Sequence, residues 1–119
     1  MTDTTHLAIT IPPDVIRNAG EPVFPELRRR VEGYHSTVLI DLVNSREAYG
    51  IAKYGQTLMS DDGRDTPTEI INEILDMLAY MTKLCMQRPN DNLITYRLLQ
   101  AMTLAVDVVD TIKHMEPTP

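Results

Sequence analysis

The chain has 119 residues, with 17 acidic against 11 basic side chains and a net charge of −6. That balance excludes a large surface for a nucleic-acid polymer, because phosphate backbones are held by clustered Lys and Arg, and the composition is that of a single folded domain. One cysteine, Cys85, excludes an internal disulfide. No apolar run reaches the ~20 residues that span a bilayer, and the opening Met-Thr-Asp-Thr-Thr-His lacks the basic and apolar regions of a signal peptide. The expected protein is soluble and cytoplasmic, with no membrane partner.

Residues 1–25 read as an irregular N-terminal arm. Pro12, Pro13, Pro22 and Pro25 interrupt it, each restricting its own backbone and that of the residue before it. Within the arm, His6 to Ile11 has the pattern of a short strand, and a brief helix can follow Pro13. From about Pro25 to Tyr54 the pattern turns helical, with a break near Gly33. Gly55 lies just past the end, where a permissive residue closes a helix. A loop rich in Asp, Ser and Gly then runs from Gln56 to Asp65.

Thr66 is expected to cap the next helix, with Pro67 in the first turn and Glu69 completing a Thr-x-x-Glu capping box. This helix should run to about Gln87, before Pro89. Asn90 or Asp91 should cap a last helix reaching about Met115, followed by a tail at residues 116–119. The spacing of apolar residues outweighs the weak strand propensity of the many Val, Ile and Thr. The expected fold is therefore all-α, a helical bundle over residues 26–115 of three long helices and a partial one.

Two of these helices carry carboxylates in unusual settings. Glu73 and Asp76 are three residues apart and share a face, which Tyr80 and Lys83 continue. The opposite face holds Ile70, Ile71, Ile74, Met77, Leu78, Met81 and Cys85. No Lys or Arg stands four residues beyond Glu69, Glu73 or Asp76 to offset their mutual repulsion. On the preceding helix Ile40, Val43, Glu47, Ile51 and Tyr54 fall along one stripe, with Asn44 beside Glu47. A carboxylate inside an apolar row needs a cation. That cation is either a metal shared with Glu73 and Asp76, or a basic side chain from elsewhere such as Lys83 or Arg97. Three carboxylates and an amide oxygen are hard ligands that suit Mg²⁺ or Mn²⁺. His6, His35 and His114 are scattered, which excludes a zinc-type spacing. Asp107 and Asp110 are left outside the site, because His114 is placed to pair with Asp110.

Asn44-x-x-Glu47 followed by Glu73-x-x-Asp76 resembles the two-helix E-x-x-E and E-x-x-D signature of MazG-like nucleotide pyrophosphohydrolases. Lys53-Tyr54-Gly55, Gly63-Arg64-Asp65 and the run from Glu73 to Tyr80 are similar to phage-encoded single-domain members. The likeness covers about residues 35–85. It implies an all-α NTP pyrophosphohydrolase fold completed by oligomerisation, as a homodimer or homotetramer. It also implies hydrolysis of a nucleoside triphosphate to a (deoxy)nucleoside monophosphate and pyrophosphate. Carried over, Glu47, Glu73 and Asp76 are the catalytic metal ligands for Mg²⁺, with Mn²⁺ as a substitute. Asn44 stands where the family usually has Glu, so it would coordinate through its carbonyl oxygen with one negative charge fewer. Some phage relatives act on purine deoxynucleotides, which makes dGTP and dATP the first substrates to test. The setting would be the cytoplasm, that of the host if a phage encodes the chain.

Lys53, Arg64 and Lys83 are the candidates for phosphate contacts, and Tyr80 for stacking on a base, whereas Tyr54 is expected to pack. Val38 and Leu42 lie opposite the stripe through Ile40, so the middle helices are apolar nearly all round. That pattern asks for an oligomer. The competing reading is a non-catalytic helical dimerisation module whose acidic row binds a partner, which requires no metal and gives Glu47 a basic partner.

Overall fold

The computed structural model describes residues 16–115. The expected strand from His6 to Ile11, the start of a helix after Pro13 and the tail at 116–119 lie outside the described residues. Among the described residues the protein is all-α: four α-helices and one 3-10 turn, with a single isolated antiparallel bridge between Pro22 and Met59. None of these helices is long and apolar enough to cross a membrane. The chain gathers into two compact units, one ending at Arg64 and the other beginning at Asp65.

In the first unit, α1 spans Val23–Val31. Pro25 is tolerated there because N–H groups of the first turn have no intrahelical partner. Glu26 near the start and Arg28, Arg29 and Arg30 near the end complement the helix dipole. Arg29 and Arg30, three and four residues on, both donate to the Glu26 carboxylate. Those bonds, the one from Arg29 foremost, lower its pKa to about 2.

A 3-10 turn at Glu32–Tyr34 makes the expected break. His35 rather than Gly33 takes the left-handed conformation, at φ 52°. Ser36 then caps α2, Thr37–Tyr54, by accepting the Leu39 N–H at 3.1 Å. Gly55, at φ 78°, closes α2 as expected, and α1 packs against α2.

The loop after α2 is tied down by the segment before α1. Arg17 N–H donates to Asp62 O, Asp61 N–H to Ala19 O, Ser60 N–H to Glu21 O and Val23 N–H to Leu58 O, at 2.8–3.0 Å. Ser60 Oγ also accepts the Glu21 N–H at 2.8 Å. The two stretches therefore run antiparallel, with Gly20 at φ 85° where they come closest.

In the second unit, α3 spans Thr66–Gln87 and packs against α4, Asn92–Lys113. The expected cap at Thr66 is corrected. Asp65 is the capping residue, its carboxylate accepting the Thr68 N–H at 3.3 Å and the Thr68 hydroxyl at 2.7 Å. A carboxylate is a better acceptor at a helix N-terminus and its charge suits the dipole, so the cap sits one residue upstream of the expected position, answered by both the N–H and the hydroxyl of Thr68. Asp91, one of the two expected candidates, caps α4 by accepting the Ile94 N–H at 3.0 Å.

Val43 on α2 and Ala105 on α4 are the buried apolar side chains among the described residues. Val38 and Leu42 on α2 stay 67% and 62% exposed, and Leu93 and Leu104 on α4 are each 67% exposed.

The antiparallel pairing can be tested at two glycines. A Cβ at Gly20 would stand 2.3 Å from Ser60 Oγ and 2.9 Å from Asp61 N, so Gly20→Ala should destabilise the protein by about 1–3 kcal/mol. A Cβ at Gly50, inside α2, meets nothing within 4 Å, so Gly50→Ala should stabilise by about 0.5–1 kcal/mol. Urea unfolding of both variants gives the comparison. A silent Gly20→Ala would contradict the described pairing.

Candidate functional site

Helix α2 places Asn44 and Glu47 one turn apart. Arg28 Nη1, reaching over from α1, donates to Glu47 Oε1 at 2.8 Å and to Asn44 Oδ1 at 3.2 Å. The Thr57 hydroxyl, from the loop after α2, donates to Glu47 Oε2 at 2.7 Å. The side chains of Arg28 and Glu47 retain only 34% and 20% of their exposure. The Arg28 bond, and after it the Thr57 bond, hold the Glu47 carboxyl below its ordinary value of 4.5, against the burial that would raise it.

Arg28, rather than the expected Lys83 or Arg97, is the basic partner of Glu47. A signal for it was present in the sequence. Of the three consecutive arginines, Arg29 and Arg30 stand at helical spacing from Glu26, whereas Arg28, two residues on, does not. It is the one turned toward another helix.

A second cluster forms around Tyr54 at the end of α2. The Arg64 guanidinium lies 4.6 Å and the Lys53 ammonium 5.2 Å from the centre of its ring, so Tyr54 packs, as expected, between two cations. Lys53 is exposed. Arg64 is not a loose surface cation. Its side chain is 13% exposed, its Nε lies 3.9 Å from the Asp62 carboxylate, and its backbone N–H donates to Asp62 Oδ1 at 3.1 Å. Burial acts to raise the Tyr54 hydroxyl, but the two neighbouring cations, Arg64 before Lys53, bring it below its ordinary value. Asp62 was not singled out in the sequence, because nothing in a loop composition reveals which carboxylate folds inward.

On α3, Glu73 is exposed and Asp76 half-buried, one turn apart, with Tyr80 at 71% exposure and Lys83 also exposed. Glu73 edges an open groove of about 320 Å³ that includes Ile70, Ile74 and Met77. Asn72, next to it in sequence, is 8% exposed, and its amide nitrogen has no hydrogen-bond partner among the described residues. His114 Nδ1 lies 2.8 Å from the Asp110 carbonyl oxygen and 3.5 Å from its carboxylate, the pairing expected there.

The structure thus brings together Asn44 with Glu47, and Lys53 with Arg64, while Glu73, Asp76, Tyr80 and Lys83 follow one another along α3. Among the described residues no three His, Cys, Asp or Glu side chains form a group able to hold a metal ion. The pair on α2 nevertheless has the right donors for a hard cation. Two oxygens of different side chains converge on one positively charged nitrogen, and oxygen donors of this kind suit a hard cation. No family model, curated protein or solved structure matches the chain.

The lowered pKa of Glu47 fixes the sign of a pH effect. Stability from its ionised form is complete above the ordinary value of 4.5 and is lost as pH falls through the lower folded-state value. Glu47→Gln lacks this titration, so the stability advantage of the wild type over it should shrink below about pH 4. Thermal unfolding of both proteins from pH 3 to 7 measures the difference. A gap that stays constant across that range would mean that Glu47 is not held by Arg28 and Thr57 in solution.

Proposed function

We propose that the protein is a metal-dependent nucleoside triphosphate pyrophosphohydrolase of the MazG-like kind, releasing a nucleoside monophosphate and pyrophosphate. The observation that carries the reading is the convergence of Asn44 and Glu47 on one cationic point; elsewhere in the chain an acidic pair, Glu73 and Asp76, has the same one-turn spacing. In this reading the four side chains are the oxygen ligands of Mg²⁺, or of Mn²⁺ in its place. The metal, when bound, neutralises phosphate charge and supplies the acidified water that the hydrolysis needs. Lys53 is exposed and pairs with no carboxylate among the described residues, which suits it to meet a phosphate. Arg64, held by Asp62 against Tyr54, presents a pre-oriented positive charge at low entropic cost. Lys83 offers a further charge on α3, and the exposed Tyr80 ring a platform for a base, purine deoxynucleotides being the first to test. The exposed apolar side chains of α2 and α4 support a homodimer or homotetramer.

One observation favours a second reading. Glu47 has a basic partner in Arg28, as a non-catalytic helical dimerisation module would require. Product-resolved hydrolysis separates the two. With Mg²⁺ or Mn²⁺, a panel of triphosphates including dGTP and dATP should yield monophosphate and pyrophosphate, and Glu73→Gln or Asp76→Asn should lower turnover at least about a hundredfold with helical content intact. No turnover of any triphosphate with either metal would favour the module. Release of orthophosphate would indicate a different phosphohydrolase.

A further inference from the structure

We propose that Arg28 is the resting counter-ion of the α2 metal-ligand pair, and that a divalent cation gains Asn44 and Glu47 only by displacing its guanidinium; this rests on the metal-site reading above. Arg28 Nη1 bonds Glu47 Oε1 at 2.8 Å and Asn44 Oδ1 at 3.2 Å, so it occupies the point that a cation bridging the two oxygens would take. The two cannot coexist there, since both carry positive charge and claim the same lone pairs.

The surroundings fit an exchangeable partner rather than a permanent one. Thr57 holds Glu47 Oε2 at 2.7 Å, so the carboxylate stays oriented whichever cation sits on Oε1, as outer hydrogen bonds do at metal sites. Arg29 and Arg30 are engaged by Glu26 and leave Arg28 as the arginine of that run directed at α2. At 34% side-chain exposure, its guanidinium has a path to water once displaced. Asn44 contributes to the same logic. With a neutral amide beside it, Glu47 is the single charge that Arg28 neutralises, and the arginine and carboxylate balance without a metal.

A resting counter-ion makes a prediction opposite to that of an ordinary structural partner. Removing Arg28 should destabilise the metal-free protein, because a half-buried carboxylate loses its cation, yet it should tighten metal binding. The probe is Mn²⁺ alone, titrated into the full chain and followed by loss of the free-ion EPR signal. Arg28→Met should bind Mn²⁺ about tenfold or more tighter than the wild type, because the competing charged hydrogen bonds are gone. Its melting temperature should be lower without metal and should rise more steeply with Mn²⁺.

Arg28→Lys, which keeps the charge on a group unable to bond both oxygens in the same way, should fall between the two. It also keeps the test open if Arg28→Met fails to fold. Glu73→Gln separates the failures. If the wild type binds Mn²⁺ in a way that Glu73→Gln abolishes, and both Arg28 variants bind it no more tightly, the displacement proposal is overturned while the metal-site reading stands. If none of the proteins binds Mn²⁺, both are overturned.

Discussion

Placing a carboxylate on the inward stripe of a helix creates a debt of charge that some cation has to meet. Glu47 is that carboxylate, and much of the first unit is arranged around it. Helix α1 delivers Arg28 to one oxygen, and the loop after α2 delivers Thr57 to the other. The break at His35 and the cap at Ser36 let α1 fold back against α2, which is what brings a residue only nineteen positions earlier in the chain onto the same carboxylate. The antiparallel pairing of the loop with residues 17–23 fixes the segment that carries Thr57. An unpaired Glu47 would have to be protonated or drawn out to water, and either would undo that packing.

The same pair explains why two functional readings meet at one residue. To a helical module, Arg28 and Glu47 are a half-buried ion pair, and such pairs add little net stability over an apolar alternative. To a metal enzyme, they are a site kept neutral until its cofactor arrives. In either view Asn44 accepts from the same nitrogen, giving the half-buried guanidinium a second acceptor. Around Tyr54 the Arg64 and Lys53 cations lie over the ring, and Asp62 stands 3.9 Å from the Arg64 Nε.

Much of the helical outline was legible from local chemistry, because caps, glycine stops and apolar spacing act over a few residues. The end of α2 at Gly55, the end of α3 at Gln87 and the cap at Asp91 follow from such signals. The cap of α3 was misread by one residue, since Thr66 and Asp65 are both good acceptors and only the geometry chooses. That Asn44 and Glu47 share a face of one helix, and Glu73 and Asp76 a face of another, was legible because their spacing is close to one helical turn. Arg28 and Thr57 were not, because their roles depend on which elements pack together. Asp62 and Asn72 were passed over for the same reason: burial of a polar side chain is set by tertiary contacts, and composition carries no trace of it.

The most direct measurement is a double-mutant cycle on Arg28 and Glu47, using Arg28→Met, Glu47→Gln and the double variant, with unfolding free energies taken without metal and in saturating Mn²⁺. If Arg28 is the cation that a metal replaces, the two residues should be coupled by about 1 kcal/mol or more without metal, and the coupling should fall toward zero with Mn²⁺. A coupling of equal size in both conditions would contradict the account and make the pair a permanent structural ion pair.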